Sequence, residues 1–104
     1  METNEKILNQ IKEAVNEIIP DAKVMLFGSR VTGNIHEESD WDILVLTQEK
    51  KEKRIKKEIQ NKLYPISLSI NAFISLIFTS FDEWENNPAY YSLRKSIAEE
   101  YISI

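Results

Sequence analysis

The residues with chemistry in them fall between Phe27 and Ile43: Gly28-Ser29-Arg30-Val31-Thr32-Gly33, then Ser39-Asp40-Trp41-Asp42. A Gly-Ser pair where a strand gives way to a helical turn offers backbone amides and a hydroxyl to an anion, and the helix dipole adds attraction. Asp40 and Asp42 stand two apart at the start of an apolar strand, so their side chains leave one face and can share cations. Two carboxylates with triphosphate oxygens make a hard oxygen site suited to Mg²⁺, which takes few protein ligands and completes its shell with substrate and water. With two ions about 3.5–4 Å apart, the attacking and leaving oxygens of an in-line displacement are both stabilised. Acids that open a buried strand are costly unless paired or metal-bound, which favours the ligand reading over a surface turn. Arg30 can add a charge-assisted contact to phosphate, although a surface salt bridge is the plainer role for a lone arginine. A P-loop is excluded, because Asn34-Ile35 follow Gly33 where that motif needs Lys and Ser or Thr; a dinucleotide fingerprint lacks its middle glycine.

The elements around this segment are legible. Ile7, Ile11, Ala14, Val15, Ile18 and Ile19 recur at helical spacing, Thr3 or Asn4 can cap the start, and Pro20-Asp21 ends the run. Lys23 to Phe27 reads as a strand apolar on both faces, therefore central in a sheet. Trp41 to Thr47 is a second such strand, and the connection of residues 29–39 is too short for a parallel crossover, so the pair is expected to be antiparallel. That arrangement puts Ser29 beside Asp40 and Asp42. Ile55, Ile59, Leu63, Ile66 and Ile70 then keep a helical period long enough for a crossover, with Pro65 expected to kink or end the helix. Ala72 to Thr79 follows as a third strand parallel to the second, its start returning to the edge that holds the aspartates. After Asp82-Glu83-Trp84-Glu85 and Asn86-Asn87-Pro88, a helix is expected from Ala89 to about Glu100. Phe81, Trp84, Tyr90, Tyr91 and Tyr101 read as cover for the sheet or as a partner surface.

Bulk properties narrow the chemistry. The 104 residues are expected to form a single domain, 1–104, with room for one core and one site. Cysteine is absent and His36 is the only histidine, so thiolate and zinc sites are disfavoured while a carboxylate-held cation is not. A net charge of −4 argues against general nucleic-acid binding, and no DNA binding is expected. Lys50 to Lys57, six basic residues in eight, is the local exception: a solvated helix face or a docking patch for an acidic partner or RNA. The charged N-terminus is not a signal peptide, and the apolar run Ile70 to Phe78 is too short to span a bilayer, so a cytoplasmic location is expected.

The Gly28-Ser29 pair, ten intervening residues and Asp40-Trp41-Asp42 resemble the signature of the DNA polymerase β-like nucleotidyltransferase superfamily. The short length and the Gly-Ser-Arg-x-x-Gly form resemble its minimal nucleotidyltransferases. This resemblance implies an α/β (α+β) fold, a small mixed three-stranded sheet with flanking helices. Gly28 and Ser29, with Arg30 and Ser39, would form the nucleotide site; Asp40 and Asp42 would bind Mg²⁺, two ions with a bound nucleotide, and carry the catalysis. ATP or another NTP is the implied donor. Many such proteins act as antitoxins to a small helical HEPN-type partner, and some transfer AMP to its tyrosine. A homo-oligomer is compatible with the open sheet edge.

The superfamily usually supplies a third carboxylate from the next core strand, and here Asn71 is expected at that position. A neutral amide cannot accept a proton as a base, and loss of a general base forfeits roughly 10²- to 10⁴-fold in rate. Alternatively Asp82 or Glu83 approaches the site. Three functions follow: a protein adenylyltransferase; a binding antitoxin that keeps the pocket without turnover; or an aminoglycoside-type small-molecule nucleotidyltransferase. The third is ranked last, because enzymes of that kind carry a further substrate-binding domain.

Overall fold

A computed structural model describes residues 4–28, 40–48, 53–99 and 101–103. Ser29, Arg30 and Ser39 of the expected nucleotide site lie outside the described residues, as does the expected helical turn after Gly28. The first helix, α1 (Asn4–Ile18), buries Ile7, Ile11 and Val15, one residue per turn on one face. Past its end the side-chain amide of Asn16 donates to the carbonyl of Ile19 at 3.0 Å, supplying one of the partners that a helix end lacks.

Strands β1 (Lys23–Phe27), β2 (Trp41–Thr47) and β3 (Ile74–Ser80) form the expected mixed sheet, with β1 and β2 antiparallel and β2 and β3 parallel. A short β4 (Ile102–Ser103) pairs antiparallel with β1, giving the order β3-β2-β1-β4. Two residues are too few to show a period, which is why β4 escaped the sequence reading. Alternation along the strands divides the interior in two. Val24, Leu26, Trp41, Ile43, Val45 and Phe78 face α1 and α2 (Lys53–Ile70), where they meet Ile11, Val15, Ile59 and Leu63. Met25, Leu44 and Leu46 face the opposite way, against Trp84 and Ile97. β2 is therefore clad on both sides, and its residues Ile43, Leu44 and Val45 are wholly buried.

The helix α2 runs through Pro65 to Ile70, so of the kink or end expected at the proline the end does not occur, and β3 starts at Ile74 rather than Ala72. An interior proline costs about 3 kcal/mol, while fully burying one large aliphatic side chain contributes about 1.5–3 kcal/mol. Ile59 and Leu63 are buried, with Ile55, Ile66 and Ile70 packed beside them, so burial outweighs the proline. An ion pair between Lys62 and Glu17 ties α2 to α1 at the surface.

Asn71 ends α2. Its φ is 53°, in the left-handed region; its amide donates to the Leu68 carbonyl (3.3 Å), and the Ala72 amide donates to the Ser67 carbonyl (3.2 Å). This pair of bonds is the Schellman pattern, in which Asn is the usual substitute for Gly. Asn71→Gly is expected to leave stability unchanged or slightly higher, whereas Asn71→Val should cost about 1–2 kcal/mol, the strain of a left-handed residue with a bulky Cβ. Urea unfolding of the three proteins checks the ranking.

Ser80 caps α3 (Phe81–Asn86) by accepting from the Glu83 amide at 3.1 Å. Asn87 caps the next turn, Pro88–Tyr90, through the Ala89 amide at 2.9 Å, and α4 (Tyr91–Glu99) completes the cover. The aromatics divide: Trp84 is buried with its ring 5.5 Å from that of Tyr90, and Phe81 packs beside it, while Tyr91 and Tyr101 are exposed. Arg94 locks this corner by donating to the Trp84 carbonyl at 2.6 Å.

Candidate active site

The site grows from the register of β1 against β2. Phe27 pairs with Asp42, so the next residue, Gly28, lies where the Asp42 carboxylate must go. Gly28 has φ 82°, and a Cβ built there would lie 2.1 Å from Oδ2 of Asp42 and 3.1 Å from its Cγ. Both the backbone conformation and the space exclude a side chain. The carboxylate thus rests directly on the backbone of Gly28, which links the two halves of the sequence motif physically.

Asp42 is half-buried, and its pKa is raised above the ordinary carboxylate value by burial first and by the neighbouring Asp40 second. Burial disfavours the anion and a like charge disfavours it further. A cation would relieve both effects, and the donors present are hard oxygens. Asp40 and Asp42 therefore fit a divalent ion of the Mg²⁺ kind that completes its shell with a nucleotide and water. Among the described residues no cluster of three or more His, Cys, Asp or Glu forms, and Asp40 and Asp42 are the carboxylates the fold brings together there.

Asn71 and Ser75 stand differently toward the aspartates. Asn71 lies three residues before β3, occupied with capping α2, while the parallel register sets Ser75 directly across from Asp42. Asn71 remains near enough to Asp40 to line a common cleft with it. Asp82 and Glu83 follow the far end of β3, a strand's length from Ser75, and do not approach the aspartates. The motif residues brought together are Gly28, Asp40 and Asp42; Ser75 is the neighbour that sequence reasoning missed, and it becomes visible only once the strand start is known.

Asp40 also lines the mouth of a cleft of about 1020 Å³ between α2 and β3, walled by Gln60, Leu63, Tyr64, Leu68, Phe73 and Leu76. The sequence reading did not foresee this cleft, because its wall residues read as helix surface and strand start.

Two aspartates opening the central strand, one folded over a glycine turn, on a mixed α+β sheet, define the nucleotidyltransferase class of site. The chain belongs to that family: residues 8–103 match the Nucleotidyltransferase domain. It is 38% identical over 90 residues to the Methanocaldococcus jannaschii protein named "Putative protein adenylyltransferase MJ0141", an alignment covering 78% of this chain and 91% of that one. Solved structures share the fold at lower identity. Spectinomycin adenyltransferase AAD(9) of Enterococcus faecialis, solved with ATP and spectinomycin, superposes with a TM-score of 0.76 at 18% identity; the match covers 98% of this chain but only 56% of that longer one. A toxin-antitoxin structure with AMP-PNP gives 0.68 at 22% identity, covering 97% and 72% of the two chains. A Shewanella oneidensis structure of a tri-AMPylated HEPN toxin with its MNT antitoxin gives 0.61 at 16%, covering 97% and 71%. Among the described residues no helix is long and apolar enough to cross a membrane.

Proposed function

We propose that this nucleotidyltransferase moves AMP from ATP to a hydroxyl of a partner protein, in the manner of an antitoxin that modifies a HEPN-type toxin. The observation that carries the reading is the Asp42 carboxylate laid over Gly28 beside Asp40, where β1 ends and β2 begins. In the reaction the acceptor oxygen bonds to the α-phosphorus, the bond from that phosphorus to the bridging oxygen breaks, pyrophosphate leaves, and the hydroxyl proton passes to water or to a base on the partner. Asp40 and Asp42 would hold Mg²⁺, which neutralises phosphate charge when bound. The Gly28 turn keeps side-chain bulk away from Asp42, and burial of β2 holds both carboxylates in place.

The relative named as a protein adenylyltransferase and the nucleotide-bearing toxin-antitoxin neighbours support a protein acceptor over a small molecule. The test is the intact mass of a small helical HEPN-type protein after incubation with this chain, ATP and Mg²⁺. Gains in whole AMP units that need both ATP and this chain support the proposal. A stable complex with no gain would leave the second reading, a binding antitoxin without turnover, which the neutral Ser75 opposite Asp42 favours.

Ser75 gives a further check on that choice. Ser75→Asp places a carboxylate where the register points it at Asp42, and is expected to raise the transfer rate at least about tenfold, toward the general-base range of 10²–10⁴. Asn71→Asp, away from the strand, should not. Initial rates of AMP incorporation decide between the two positions.

A further inference from the structure

We infer that the cleft between α2 and β3 is a docking groove for an acidic, partly apolar polypeptide segment, and that this segment belongs to the acceptor protein. Three large apolar side chains stand out of the fold around it: Tyr64 is 63% exposed, Leu68 64% and Phe73 79%. All three line the one cleft, together with the partly buried Ile74 and Leu76. Clustered apolar exposure of this kind marks an interaction surface, whereas scattered residues do not. The edge is open as well, since β3 is the outermost strand on its side of the described sheet.

Charge selects the occupant. Gln60, Tyr64 and Leu68 follow one another at four-residue steps along α2, and the same stripe continues backward to Lys56 and Lys57, with Lys53 a turn earlier. None of these three lysines has an ion-pair partner among the described residues. The groove therefore grades from a basic end at the start of α2 to an apolar end at Phe73, and Asp40 of the active site lies on its wall. A polypeptide with carboxylates toward Lys56 and Lys57 and apolar side chains toward Tyr64, Leu68 and Phe73 satisfies both ends. RNA, though acidic, would leave the aliphatic wall unused. Because the groove leads to Asp40, a segment lying in it delivers a neighbouring hydroxyl to the transfer site. The assignment of the segment to the acceptor, and this delivery, rest on the proposed function.

Selection of a phage-displayed library of short random peptides on the full chain tests the inference, with Leu68→Asp/Phe73→Asp protein as the counter-target. Both replaced side chains are exposed, so thermal melting of the variant should match the parent. The expected result is enrichment of peptides combining Asp or Glu with aliphatic or aromatic residues, their affinity falling at least about tenfold on the double variant. Lys56→Glu/Lys57→Glu should turn the preference from acidic to basic peptides. No enrichment, peptides that bind parent and variant alike, displacement by a single-stranded RNA probe, or occupation of the groove by a second copy, seen as self-association abolished by Leu68→Asp, would each overturn it. Adding ATP and Mg²⁺ to enriched peptides that carry Tyr or Ser separates the two claims. Binding without AMP transfer, in protein that also fails to bind ATP, rejects the transferase reading and leaves the groove standing; ATP binding without peptide selection does the reverse.

Discussion

Asp42→Asn should lower AMP transfer by at least about 10²-fold and, in the same molecule, raise the melting temperature of the nucleotide-free protein. The loss follows from removing one of two charges available to the cation and phosphates, an electrostatic contribution that typically supplies 10²–10³ in rate. The gain follows from the raised pKa. Burial and Asp40 both disfavour the Asp42 anion in the folded state, whereas in the unfolded chain it ionises at the ordinary carboxylate value. Below that ordinary value the group is protonated in both states and costs nothing. As pH rises toward and through the raised folded value, the native state holds more protons than the unfolded one, so stability falls. Above the raised value the penalty is complete and constant. The difference in melting temperature between Asp42→Asn and the parent should therefore widen with pH across this window and then level off. Mg²⁺ with a nonhydrolysable ATP analogue should reverse the order, stabilising the parent and not the variant. Differential scanning calorimetry over a pH series, with and without that ligand pair, checks both signs.

Gly28→Ala is expected to do comparable damage by geometry alone. The added methyl would need the space 2.1 Å from Asp42 Oδ2, at a φ of 82° that L residues with a Cβ rarely adopt. Either the carboxylate turns away or the turn opens, and in both cases transfer should drop by at least about 10²-fold, since a displacement of an ångström at a reacting site costs that much. Stability should fall by about 1–2 kcal/mol from the backbone strain, or roughly 5–15 °C in melting temperature for a domain of this size. A double-mutant cycle isolates the contact. In an Asp42→Ala background the clash is relieved, so Gly28→Ala should cost measurably less there than in the parent. Equal costs in the two backgrounds would mean that the methyl is accommodated without moving Asp42.

How much of this was readable depends on which physical signal each element carries. β1 and β2 were legible to the residue because both faces of Val24–Phe27 and of Ile43–Leu46 are apolar, and the short connection between them left only an antiparallel pairing. Their antiparallel pairing in turn set Asp40 and Asp42 at the end of β1. The contact of Asp42 with Gly28 needed more, since it depends on Phe27 being the residue paired with Asp42 and on the positive φ that follows. β3 was found but entered too early. A proline inside an apolar period suggests a stop, and only the burial of Ile59 and Leu63 shows why α2 continues to Ile70. The register that sets Ser75 across from Asp42 could be read only once the strand's true start at Ile74 was known. The groove escaped notice because Tyr64, Leu68 and Phe73 are ordinary residues in sequence and become a surface only through what fails to cover them.

The central place of β2 has a consequence for how this molecule fails. Asp40 and Asp42 are borne at the head of a strand hydrogen-bonded on both sides and covered on both faces, whereas the other half of the motif begins at Gly28, where the neighbouring strand ends. Loosening of the helix that walls the groove would change which acceptor is held and for how long. It would not separate the two carboxylates, because displacing them requires breaking the ladder that also holds both halves of the interior together. Acceptor choice can therefore drift through surface substitutions on α2 while the chemistry stays intact, and loss of the chemistry by destabilisation coincides with loss of the fold.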